Sequence, residues 1–396
     1  MTKTLLVLAA STYQLETIRT AKRLGYRVVT TDNQPNNPGH ALADRAYGAD
    51  TTDVDSITAI CRSERVSGII APCTDVAVPT AALVARELGL VGVPPKSAAL
   101  LTDKTAFRRF LCELGIPFPE FHILPSDATR MPTVSWRDSP WVIKPDFSSG
   151  SKGIFVVRDA VELAERIPQS REFSPTRTVL LERFIGGHQA TCEGVLDAGR
   201  VRLSVVLDRQ TAAFPYVVTT GHRLPTRLGP DALERLQALL ESVWAQLGAL
   251  SGPFDCDFVC SEEKIFLLEM TPRLGGNSIS QLLRVATGFD LVEYAVQHAC
   301  GVSAPLPSQL LPRPSAVILL GASKSGHLSY DERQLEALSA EPWVSAVTME
   351  VARGTPVGAF INSRHRVGEA YITARNRDQI DSRVEEFRRR LALDAE

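Results

Sequence analysis

Long hydrophobic runs are missing from this chain of 396 residues. No apolar stretch approaches the roughly 18–20 residues needed to span a bilayer, so no membrane partner is expected. An excess of positive charge is missing too, since 43 Lys and Arg stand against 45 Asp and Glu. That balance offers nucleic acid no electrostatic footprint. Paired cysteine spacing is absent: the seven cysteines are scattered and odd in number. They suit a reducing cytoplasm better than a disulfide framework. No cleavable leader is expected, because the apolar segment 4–10 is short and runs into an amphipathic helix pattern without a cleavage site. Glycine is absent where a dinucleotide fold would need it. The first strand-to-helix turn, Ala9-Ala10-Ser11-Thr12-Tyr13-Gln14, cannot admit a pyrophosphate to its backbone, and Asp32 alone argues weakly for a ribose.

What is present first is an alternation of strand and helix. Residues 5–9, 27–31 and 68–71 read as buried strands, with helices over 14–24, 54–64 and 78–88 and a short apolar 91–93 closed by Pro94-Pro95. This pattern predicts a parallel, doubly wound sheet whose ligands approach at the C-terminal strand ends. A helix over 103–114 stops at Gly115-Ile116-Pro117-Phe118-Pro119. From Trp141 onward the pattern turns antiparallel, with strands over 141–144, 153–157 and 178–184 and a hairpin at Asp197-Ala198-Gly199. Helices follow over 232–247 and 378–391.

The segment 252–273 carries the sharpest chemical signal. Gly252-Pro253-Phe254-Asp255-Cys256-Asp257-Phe258-Val259, a polar turn at 261–264, and Ile265-Phe266-Leu267-Leu268-Glu269-Met270-Thr271-Pro272-Arg273 read as a β-hairpin. Strand side chains alternate faces, so Phe254, Cys256, Phe258 and Cys260 share one side, and Asp255 and Asp257 the other. On the second arm Phe266, Leu268 and Met270 are expected on one face and Leu267, Glu269 and Thr271 on the opposite one. Cys256 and Cys260 are expected to pack in the core rather than clip a zinc ion. With Asp257 opposite Glu269, their Cβ atoms would lie roughly 4.5–5.5 Å apart. Two carboxylates so placed repel unless a cation lies between them, and oxygen ligands suit Mg²⁺. Arg273 adds a planar donor fork for carboxylate or phosphate.

Three upstream segments extend the pattern. Pro140-Trp141-Val142-Ile143-Lys144-Pro145 is a buried strand ending in a lysine, and a buried ammonium needs an anion, such as a phosphate. Phe147-Ser148-Ser149-Gly150-Ser151-Lys152-Gly153 can form an anion-binding nest of backbone N–H groups, although it is not a Walker A loop. Val179-Leu180-Leu181-Glu182-Arg183-Phe184-Ile185-Gly186-Gly187 can offer backbone groups to an adenine and a carboxylate to a ribose. Taken singly, each has an ordinary reading as a snorkelling lysine, a plain turn or an amphipathic strand.

In this order, ending Glu-Met-Thr-Pro-Arg-Leu-Gly-Gly-Asn, the segments resemble the ATP-grasp superfamily of carboxylate–amine ligases over nearly the whole chain, with a layout nearest the L-amino-acid and dipeptide ligases. The resemblance implies an α/β and α+β class: an N-terminal doubly wound domain (1–102), a small ATP-binding lid domain (103–188) and a larger antiparallel C-terminal domain (189–396). It implies that Lys104 and Lys144 hold ATP phosphates under a lid of Ser149, Gly150, Ser151, Lys152 and Gly153. Glu182, Arg183, Phe184 and Ile185 would hold the adenine, and Asp257 and Glu269 the Mg²⁺, with Mn²⁺ admitted in its place. Arg273 would steady an acyl phosphate or substrate carboxylate, beside Gly275, Gly276 and Asn277. The substrates would be a small carboxylate and an amine, and a homodimer stays open.

The chain departs from the family pattern at Thr271, where Asn is usual, at Asp257 in place of Glu, and at Gln189 in place of a ribose-binding Glu. His222 either orients a carboxylate, accepts a proton from the amine, or is a satisfied loop histidine. Asp75 either meets substrate or caps the following helix. Two rival activities stay in view: carboxyphosphate formation on a purine-like or sugar-linked substrate, and nucleotide binding without catalysis.

Overall fold

The computed structural model describes residues 2–128, 131–137, 139–262 and 264–396. Strand Thr4–Leu8 (β1) is buried along its whole length. A strand apolar on both faces needs cover on both, which a parallel α/β layer provides. Arg27–Thr31 (β2), Arg45–Tyr47 (β3) and Gly68–Ile70 (β4) complete a parallel sheet of order β3-β2-β1-β4. Helices Val54–Ser63 and Val78–Leu88 cover one face. The other is covered by Leu15–Arg23 and, from far along the chain, Leu291–Ala299. No strand forms at 91–93. Instead Pro94-Pro95 opens a helix, Pro95–Thr102, because proline's fixed φ suits the first helical position.

A second, antiparallel sheet joins Phe121–Leu124 (β5), Trp141–Pro145 (β6), Phe155–Val157 (β7) and Val179–Arg183 (β8) in the order β5-β8-β6-β7. Helix Ala160–Arg171, not foreseen from the sequence, packs Leu163 and Ile167 against Trp141 and Ile143.

The largest sheet is built from His188–Asp197 (β9), Arg200–Thr211 (β10), Thr219–Leu224 (β11), Gly252–Ser261 (β12), Lys264–Thr271 (β13) and Ser315–Leu320 (β14). Gly326–Ser329 (β15), Val344–Met349 (β16), Pro356–Val357 (β17) and Gly368–Thr373 (β18) follow. The order is β13-β12-β9-β10-β11-β14-β18-β16, and β15 and β17 sit in a separate small sheet. The hairpin turn expected at 261–264 includes Glu263, which lies outside the described residues. Three helical layers cover the large sheet: Pro230–Gln246 at the hairpin end, Ile279–Thr287 with Leu291–Ala299 in the middle, and Arg377–Leu391 at the far end. Among the described residues no helix is long and apolar enough to cross a membrane.

Trp244 anchors the hairpin end. It is fully buried and meets Phe254 edge to face with ring centroids 5.4 Å apart. Trp244→Ala is expected to cost about 3–5 kcal/mol of stability, read as a lower urea midpoint at unchanged m-value. A loss under about 1 kcal/mol would contradict this packing.

Candidate active site

Residues of the parallel, second and large sheets and their connections line a cavity of about 960 Å³, and the β12–β13 hairpin forms its floor. Asp257 stands opposite Glu269 as the alternation predicts. The alternation then breaks: the register shifts between Asp257 and Phe258, so Phe258 pairs with Leu267 and Leu268 is the extra residue of a β-bulge. The expected faces of the second arm are therefore corrected. Leu267 joins Met270 in the core, and Leu268 joins Glu269 on the cavity wall. Cys256 packs in the core with Cys260 against it, as expected.

Both floor acids face cations. Asp257 accepts from Thr191 Oγ1 at 2.5 Å and pairs with Arg209 at 3.1 Å. Glu269 pairs with Lys104 at 3.1 Å. Burial opposes the Glu269 charge, yet Lys104 holds its carboxyl below the usual range. Among the described residues no group of three or more His, Cys, Asp and Glu side chains surrounds a metal position. Mg²⁺ between two carboxylates would thus take its remaining oxygens from water and phosphate, which is how it is commonly bound. The residues fit that arrangement.

Lys144 is met by a protein anion as well as by the cavity. Its ammonium lies 2.6 Å from Glu182, which also receives Arg108 at 2.7 Å. Glu182 is thereby spent on two cations and is not free for a ribose, a correction to the sequence expectation. Arg108 is fully buried and ties Glu182 to the Leu268 carbonyl at the bulge. Lys104 Nζ donates to the Ser148 carbonyl at 2.8 Å, linking the floor to the root of the lid loop. Asp146 fixes that root by accepting from Phe147 N–H and the Ser174 hydroxyl.

Asp75 does not cap its helix, contrary to one of the two expectations. The cap position is Ala77, without a side-chain bond. Asp75 instead receives Arg273 Nε and Nη2 at 2.9 and 2.6 Å. His222 is not a satisfied loop histidine, for it lies within β11, 1% exposed, with neither ring nitrogen partnered among the described residues. Burial, aided by Arg209, pushes its pKa down to about 3, so the ring is neutral.

Three expected site residues do not reach the cavity wall. Thr271 is buried opposite Asp255, on the face that carries Glu269 but short of the cavity wall, its hydroxyl without a partner among the described residues. Gly275 donates its N–H to Glu193, and a Cβ there would crowd Glu193 and Asp255. Gly153 packs against Phe173 and Pro145. The remainder line it: Lys104, Lys144, Ser149, Gly150, Ser151, Lys152, Glu182, Arg183, Phe184, Ile185, Gln189, Asp75, His222, Asp257, Glu269, Arg273, Gly276 and Asn277. Sequence reasoning missed Arg108 and Arg209. No local signal marks either, because each matters through an acid far along the chain, 74 positions away for Arg108 and 48 for Arg209.

Asp32, also on the cavity wall, accepts from Ala10 N–H, Gln34 N–H and the Asn37 amide. It holds the first turn together.

A profile of the ATP-grasp domain matches residues 137–281. The chain has the ATP-grasp fold, and the resemblance seen in its motifs is borne out. An L-amino acid ligase from Bacillus licheniformis superposes with a TM-score of 0.83 at 18% identity, covering 99% of this chain and 98% of that one. An uncharacterized protein, y4rH, of Sinorhizobium fredii is 25% identical over 93% of this chain and 78% of its own. A formate-dependent phosphoribosylglycinamide formyltransferase of Burkholderia pseudomallei is 29% identical over 81% of this chain and 80% of its own.

The ATP-grasp cleft thus holds a buried Arg108–Glu182–Lys144 triad. Burial pulls the Lys144 pKa from 10.5 to about 8 despite Glu182. A nitrogen-detected NMR titration should place the Lys144 midpoint there, and Glu182→Gln should move it lower still, because the nearest negative charge is gone. A midpoint at the ordinary lysine value would contradict the triad.

Proposed function

We propose that this protein is an ATP- and Mg²⁺-dependent carboxylate–amine ligase that forms an amide or dipeptide bond through an acyl phosphate, releasing ADP and phosphate. One observation carries the reading. Asp257 and Glu269 oppose each other on the floor of the cavity that Lys104, Lys144 and residues 148–152 of the loop also line. Phosphoryl transfer asks for positioning and charge neutralisation rather than a protein nucleophile, and this cavity is made of such groups. The domain divisions at 102/103 and 188/189 belong to the same proposal.

In this reading Lys104 and Lys144 hold the triphosphate and Asp257 and Glu269 hold Mg²⁺, which when bound neutralises charge on the phosphates. Backbone and side chains at 182–185 face the adenine. The 149–152 loop covers the phosphates and keeps water from an acyl phosphate. Arg273, aimed by Asp75, steadies the carboxylate as it becomes the acyl phosphate. His222 orients the acceptor by hydrogen bonding. Its low basicity suits that role better than proton abstraction from an amine.

A second reading is favoured by the formyltransferase relative at 29% identity: activation of a one-carbon carboxylate, formate or bicarbonate, for a purine-like or sugar-linked amine. It differs in requiring formate or bicarbonate for ADP release.

A phosphate-release screen over pairs of amino acids and small carboxylates, with formate and bicarbonate arms, separates the two. Glu269→Ala is expected to lower turnover by about 10²–10³-fold. Turnover insensitive to that substitution would overturn the assignment of the metal acids.

A further inference from the structure

The loop over the phosphate end of the cavity is not held by its own strands alone. Ser363 N–H donates to the Gly150 carbonyl at 3.0 Å, across more than two hundred residues of sequence. The approach is close enough that a Cβ on Gly150 would overlap the Ser363 side chain, and Gly150 has φ +67. The loop's other outward ties are Lys104 Nζ at the Ser148 carbonyl, 2.8 Å at its root, and the longer Ser151 Oγ to the Val217 carbonyl at 3.5 Å.

Ser363 begins a short 3-10 turn, Ser363–His365, capped by Asn362 through Arg364 N–H. That turn is anchored on two further sides. Tyr13 of the first strand-to-helix turn donates its hydroxyl to the Ser363 carbonyl at 3.1 Å. Arg366 lies 4.5 Å from the Tyr13 ring centroid and bonds Ser278 and Glu350. The 362–366 turn is thus braced against the turn after β1, the start of the helix after the hairpin and Glu350 just past β16, while one outward N–H reaches the loop.

We propose that the 362–366 turn is the catch that positions the 148–153 loop over the cleft, and that the Ser363 N–H is its contact. This rests on the reading of that loop as the lid over bound phosphate. The catch belongs to the C-terminal part of the chain and is braced by Tyr13 of the N-terminal part. Closing the lid therefore registers how both lie about the cleft.

The test removes one donor. Ser363 is the first position of its turn, where proline fits, and Asn362 before it is extended at φ −156, ψ 173, a conformation that a following proline accepts. Ser363→Pro deletes the N–H, while Ser363→Ala keeps it. Hydrogen exchange of the amides of residues 151–153 is expected to quicken about fivefold or more in Ser363→Pro, with Ser363→Ala close to native. Release of MgADP should quicken in parallel. Gly150→Ala, which forces the loop off Ser363 without touching the core, should give the same result. Helix Pro230–Gln246 serves as the internal control: if its exchange also rises in Ser363→Pro, Gly150→Ala decides. Lid exchange unchanged in Gly150→Ala, or in a folded Ser363→Pro, would overturn the catch. A chain that releases no ADP with any substrate pair would overturn the ligase reading instead, leaving the exchange result to stand or fall by itself.

Discussion

The bulge at Leu268 is the constraint on which the site depends. A hairpin in unbroken alternation would send Leu267 to the same face as Glu269 and leave the core short of a side chain. By taking one extra residue, Leu268, on its second arm opposite the Asp257–Phe258 step, the hairpin seats Leu267 and Met270 in the core and still turns Glu269 toward Asp257. The carbonyl of the bulged residue, Leu268, receives Arg108 at 2.7 Å. Through Arg108 the same irregularity reaches Glu182 and Lys144 in another sheet. The residue at this local change of register is thus linked, through Arg108, to Glu182 and Lys144.

Charge is managed by pairing in this cleft. Asp257 faces Arg209, Glu269 faces Lys104, Asp75 faces Arg273, and Glu182 faces two cations. Burying any one of these groups alone would be costly, and breaking a buried pair usually costs more than the pair contributes. An incoming nucleotide with its metal adds charges of both signs, so the lysines and acids can trade protein partners for ligand ones. Next to Arg273, Glu193 and Asp255 lie side by side, with burial raising both carboxyl pKa values. Gly275 is a glycine because these two acids leave no room for a Cβ.

Much of this was legible in the sequence. The buried β1, the strand–helix alternation, the lysine-ended β6 and the opposed acids all follow from side-chain periodicity, a local property of the chain. What stayed hidden was long-range. The bulge depends on which residues the Pro230–Gln246 helix accepts into its core, and Arg108 and Arg209 gain meaning only from acids brought near by folding. The cap expected at Asp75 shows the same limit. A local rule was outweighed by Arg273, which arrives from 198 positions away. Thr271 shares the Glu269 face but stops short of the cavity wall, a distance that no local pattern reports.

The central claim is that Asp257 and Glu269 share one divalent cation at the nucleotide. Electron paramagnetic resonance of Mn²⁺ titrated into the protein with ADP tests it without turnover or a known substrate. The expected result is one tight Mn²⁺ site in the native chain that Asp257→Asn and Glu269→Gln each weaken by about tenfold or more, with ADP still bound. Native-like Mn²⁺ affinity in either variant would contradict it.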